Sequence, residues 1–133
     1  MILPDADLRV GDAGCLPWAD QSFDIVFQFT VFSSVLDADL KKKIAGEMKR
    51  VLKPDGIILW YDFFVNNPWN PHVRGISSSE IKSLFLERQI DFQRITLAPP
   101  LSKLLAPFSI PLCAMLEKIK LFNTHYLAVI KKS

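Results

Sequence analysis

Few side chains in this 133-residue sequence combine a chemistry-capable group with a predicted strand end. Asp12 closes a brief strand predicted at Leu8 to Val10. Together with Ala13 it offers a carboxylate acceptor and a backbone N–H donor on adjacent residues. Taken alone, such an aspartate caps a turn. Asp62 lies near the carboxyl end of the strand predicted in GIILWYDFFV, and His72 lies in the polar loop NNPWNPHVRG with Asn66, Asn67, Asn70 and Arg74. Either can take a proton from a hydroxyl. Their bland readings are a structural hydrogen bond for Asp62 and a turn position for His72. His125, Cys15 and Cys113 read as structural. With two cysteines, no CxxC and no His-rich tract, no metal site or disulfide scaffold is expected, and a reducing cytoplasm fits.

An α/β framework must position these groups. The run Phe23 to Phe29 is apolar almost throughout and reads as a strand covered on both faces. Asp37 can cap a helix from Ala38 to Leu52, with Leu40, Ile44, Met48, Val51 and Leu52 inward. Lys41, Lys42, Lys43, Lys49 and Arg50 are expected on its wet side. Lys53-Pro54-Asp55-Gly56 stops that helix before the next strand. Ser77 and Glu80 form a capping box that opens a helix through IKSLFLERQ. Phe92 to Leu97 and Tyr126 to Ile130 read as strands. The apolar stretch Leu101 to Phe122, broken by Pro107 and Pro111, reads as kinked or paired helices. Packing as core or lid explains that stretch better than shelter for a lipid-linked or sugar substrate.

Composition excludes several classes. Half of the residues are hydrophobic and 23% are charged, enough to bury a core. A net charge of +2 argues against a nucleic-acid module, although seven of the 14 acids and only one base fall in residues 1 to 40. No run is long and apolar enough for a transmembrane span, and no signal peptide is indicated.

VGDAGCLPWADQSFDIVFQF and MKRVLKPDGIILWYDF, at their mutual distance, resemble the middle and late motifs of class I S-adenosylmethionine-dependent methyltransferases. In that family Asp-Ala ends a strand, Leu-Pro-aromatic and Ser-Phe-Asp follow, and a helix ends in Arg-Val-Leu-Lys-Pro-Gly-Gly. Asp55 replaces the first glycine of that pair. The stretch from Ile58 to Ser77 also resembles methyltransferases of bacterial cell-surface polysaccharide genes. The resemblance covers residues 3 to about 85, and implies a partial Rossmann-like fold with a mostly parallel sheet and flanking helices. It implies S-adenosylmethionine as cofactor. Asp12 would accept from the adenine amino group, Ala13 N–H would donate to a ring nitrogen, and Leu16 and Trp18 would cover the purine. Phe29 and Thr30 would meet the methionyl part. The methyl acceptor would be an oxygen or nitrogen of a small molecule or glycan.

The family's glycine-rich loop and ribose-clamping acid have no counterpart here, so the chain reads as one incomplete domain from the third strand onward. Losing two contacts of about 1.5–3 kcal/mol each would weaken cofactor binding from micromolar to millimolar. The rival reading is a non-catalytic remnant that self-associates. A homodimer is expected because the strand from Phe23 becomes an unprotected edge.

Overall fold

The computed structural model describes residues 7–68 and 70–132. Strand β1 (Phe23–Phe29) has the bounds that its apolar run dictates. Helix α1 (Ala38–Val51) opens at Asp37, whose carboxylate accepts from the N–H groups of Asp39 and Leu40. Strand β2 (Leu52–Phe63) follows without a break. The expected stop at Lys53 to Gly56 is instead a bulge inside it. Phe23 pairs with Leu52 but Ile25 with Ile57, so the intervening residues loop out of the ladder. At Gly56 a Cβ would sit 2.8 Å from the Asp24 carbonyl oxygen, so only glycine lets the chain rejoin β1 this closely.

Helix α2 (Ser78–Leu84) begins on Ser77, whose Oγ accepts from Glu80 N–H, and ends short of the expected Gln89. Then come β3 (Arg88–Leu97), α3 (Pro99–Leu105), α4 (Ile110–Lys118) and β4 (Asn123–Lys132). The Pro-broken stretch is thus a pair of short helices. The sheet order is β1-β2-β4-β3. β1 runs parallel to β2, whereas β4 is antiparallel to both β2 and β3. The α/β class holds, but the sheet is not mostly parallel, because β4 returns between its two neighbours.

Both α1 and α2 pack on one sheet face. Ile44, Met48, Ile81 and Phe85 meet Ile58, Trp60, Ala128 and Ile130 there. The fully buried Trp60 lies 4.3 Å from Phe32 and 5.9 Å from Phe85, ring centre to ring centre. Burial of β1 on both faces is not what forms. Ile25, Phe27 and Phe29 point to the other face, and Phe27 remains 64% exposed. Leu8 to Val10 forms no strand, and both apolar side chains stand in solvent. A strand needs a partner for its N–H and C=O groups, and none lies beside this segment among the described residues.

The wet lysine face of α1 also needs correction. Lys41 is 4% exposed and its Nζ lies 2.6 Å from Glu80 Oε1, tying α1 to α2. Glu80 therefore does not close a reciprocal capping box; its carboxylate serves the lysine instead. Arg50, also expected to be solvated, donates to the Leu16 and Trp18 carbonyls and to Glu47 and Asp20.

Candidate functional site

The turn that leaves β1 is built under strain. Thr30 has φ 55°, a left-handed value that a β-branched residue rarely adopts. Several groups hold it there. Thr30 N–H donates to the Tyr61 carbonyl at 2.8 Å, and the buried Gln28 amide donates to that carbonyl and accepts from Val31 N–H. The Ser33 N–H donates to Asp62 Oδ2 at 3.1 Å. The following loop is stapled on top, Arg74 N–H donating to the Ser33 carbonyl at 2.8 Å. Burial pushes the Asp62 carboxyl above the usual aspartate range, against the hydrogen bonds that favour its ionised form.

The segment from Asp12 to Ser22 descends along α1. Asp12 Oδ1 accepts from Gly14 N–H at 2.8 Å, and Gly14 lies against Leu40 and Lys43 near the start of α1. Because that start follows the carboxyl end of β1, Asp12 stands at the same end of the sheet as Thr30. Leu16 N–H then donates to Glu47 Oε2 at 2.7 Å. The Arg50 guanidinium and the Leu16 N–H hold the Glu47 carboxyl down at about 2. Trp18 ends the descent edge-on to Phe23, with centroids 5.5 Å apart, at the amino end of β1.

Between this segment, α1 and the outer edge of β1 lies a cavity of about 480 Å³, walled mainly by apolar side chains. Ala13, Leu16, Trp18 and Phe29 line it, and Asp12 and Thr30 are the chain neighbours of Ala13 and Phe29. Because it runs the length of β1, it is also a slot beside a strand edge that no described residue pairs with. Asp62 lies beneath the turn and is 1% exposed, whereas His72 is exposed on the loop, its N–H donating to Asn70. The structure does not bring those two together. Among the described residues no cluster is spaced to hold a metal ion, and no helix is long and apolar enough to cross a membrane.

Sequence reasoning passed over a second group at this end of the sheet. His125 stacks on Tyr61 at 4.8 Å, with Phe29 5.6 Å beyond Tyr61, and the Tyr61 hydroxyl is 2.9 Å from Thr96 Oγ1. Four strands contribute these residues, so no local spacing announces them. Burial lowers the His125 pKa, and the Asp62 charge only partly offsets this. As pH falls, the unfolded chain takes up this proton before the folded one, so His125 costs stability from the ordinary histidine value downward. The raised Asp62 acts with the opposite sign. The urea midpoint should drop between about pH 7.5 and about pH 6 in the parent and stay flatter in His125→Gln. Equal slopes would contradict the burial argument.

Residues 2–60 fit the family model described as "Methyltransferase domain". Among solved structures, the chain is similar to a SAM-dependent methyltransferase of Methanosarcina mazei, with TM-score 0.61 and 16% identity, over 93% of this chain and 66% of that one. The chain has the class I methyltransferase fold. Among curated proteins, demethylmenaquinone methyltransferases of Renibacterium salmoninarum and Lactobacillus johnsonii are 42% and 40% identical over 60 and 70 residues. Those segments make up 45% and 53% of this chain, but only 24% and 27% of the relatives' own length. That fold is what the structural likeness carries over to this chain. In it, β1 and β2 are the strands whose carboxyl ends carry Thr30 and Asp62.

Proposed function

We propose that this chain carries part of the cofactor site of an S-adenosylmethionine-dependent methyltransferase acting on an oxygen or nitrogen of a small molecule or glycan. One observation supports the reading above others: Ala13 and Phe29, the chain neighbours of Asp12 and Thr30, line one and the same apolar cavity. At about 480 Å³ the cavity has the size of a small-molecule site. Asp12 keeps an exposed carboxylate that can accept from an adenine amino group, and Ala13 N–H can donate to the ring nitrogen beside it. Leu16 and Phe29 supply apolar cover, and Trp18 closes the far end.

The cofactor supplies an activated methyl group on a sulfonium, moved in line to the acceptor. The chain's own contribution is position. Gln28 and Asp62 hold the Thr30 turn in one conformation, so its backbone is aimed before a ligand arrives. His72, exposed on the loop that Arg74 N–H fastens to Ser33, can take a proton from a hydroxyl acceptor. Asp62, beneath the turn, acts by positioning. Calorimetric titration with S-adenosylmethionine tests the reading: saturable heat with a Kd below about 100 μM, near 5.5 kcal/mol of binding, is expected of an intact enzyme site. Silence favours the remnant.

The remnant reading has its own observation. Among the described residues β1 is an edge strand without Pro or Lys, and its Ile25, Phe27 and Phe29 lie open. A second copy extending the sheet there would make a cytoplasmic homodimer burying at least ~1,000 Å². Sedimentation at tens of micromolar should show a 30 kDa-class species that Phe27→Asp dissociates. A 15 kDa species in the parent contradicts it.

A further inference from the structure

We infer that the α3–α4 segment is a docking surface for the face of an anionic phospholipid bilayer. Neither helix has a buried residue. Leu104, Ile110, Met115 and Leu121 are well exposed, and Phe108, between the helices, is 85% exposed. Each helix keeps only a narrow side against the fold. In α4 that side is marked by Glu117, whose Oε1 accepts from Thr96 N–H at 3.1 Å, while Asn123 Nδ2 donates to the Glu117 carbonyl. The one acid of the segment is thereby hydrogen-bonded to β3 while remaining exposed, and Lys103, Lys118 and Lys120 are exposed beside the apolar side chains. Apolar side chains fringed by three lysines, against one acid held by a hydrogen bond, suit the boundary between acyl chains and headgroups.

A separate feature says which surface fits. Next to this segment lies a cavity of about 410 Å³ lined by Ser78, Lys82, Phe92, Arg94, Lys120 and Tyr126. Three of these six are cations and none is an acid. Arg94 lies over Phe64 at 5.2 Å and over Tyr126 at 6.0 Å, and Lys82 over Phe92 at 5.9 Å. The rings hold the cations in place without neutralising them. Lys120 belongs to both features: it lines the basic cavity and precedes the exposed Leu121. A lipid phosphate in the cavity with the apolar segment in the acyl boundary satisfies both. The inference is independent of methyl transfer and needs no membrane-crossing helix.

The test is co-sedimentation of the full chain with vesicles of phosphatidylcholine alone or mixed with phosphatidylglycerol, at physiological salt. Binding is expected only with phosphatidylglycerol. Phe108→Ser with Ile110→Ser, both at exposed positions, should weaken it at least about 10-fold. Lys82→Gln with Lys120→Gln should weaken it roughly 5-fold per lysine. Circular dichroism checks that the variants stay folded. The proposal is overturned if the parent binds neither vesicle, or if both variants bind like the parent. It also fails if Phe27→Asp on the open sheet face abolishes binding while the α3–α4 variants do not. Release of the vesicles by millimolar glycerol phosphate would assign the cavity to a free phosphate ester and overturn the bilayer assignment.

Discussion

Glu80→Ala should cost about 2–4 kcal/mol of folding stability, more than Lys41→Ala, although both remove the same ion pair. The asymmetry comes from burial. The Lys41 side chain is only 6% accessible and the Glu80 side chain 31%. Removing the carboxylate strands an ammonium between α1 and α2, whereas removing the lysine leaves a carboxylate that can turn toward water. Replacing both, as Lys41→Met with Glu80→Leu, should restore most of the loss, because two apolar side chains need no partner. Urea unfolding of the four proteins reads this directly. If Glu80→Ala matched the parent, the pair would not join the helices.

That ion pair also shows what a linear reading can and cannot reach. The Asp37 cap, the Ser77 cap and the bounds of β1 are local signals, written within a few residues, and each formed where expected. Lys41 looked solvated because its neighbours are lysines; its partner lies 39 positions on, in another helix. Asp62 could be placed at a strand end, but not its bond to Ser33, which depends on how β1 and β2 register. The Tyr61–His125 stack was out of reach for the same reason, since β4 inserts beside β2 rather than following β3 outward. The Leu8 to Val10 error is of another kind. Its residues have strand propensity, but propensity is not a partner.

Asp12→Ala should weaken S-adenosylmethionine binding about 10- to 100-fold in any version of the protein that binds it, the worth of one charge-assisted hydrogen bond. Its effect on folding should stay within about 0.5 kcal/mol. Asp12 is exposed, and among the described residues its carboxylate holds only the local turn to Gly14. Asp12→Asn is the sharper variant, since an amide oxygen still accepts but carries no charge. It should fall between parent and alanine. Equal affinity in Asp12→Ala and parent would remove Asp12 from the site.

All of this rests on the Asp12-Ala13 corner and the Thr30 turn forming one ligand site. Titrating ¹⁵N-labelled chain with S-adenosylmethionine, and following every backbone amide by NMR, tests that without requiring tight binding. The account predicts that the largest shifts fall on Ala13 to Leu16 and on Gln28 to Ser34, together and with one common saturation curve. Shifts confined to residues 99 to 122, or no shifts at millimolar ligand, would contradict it.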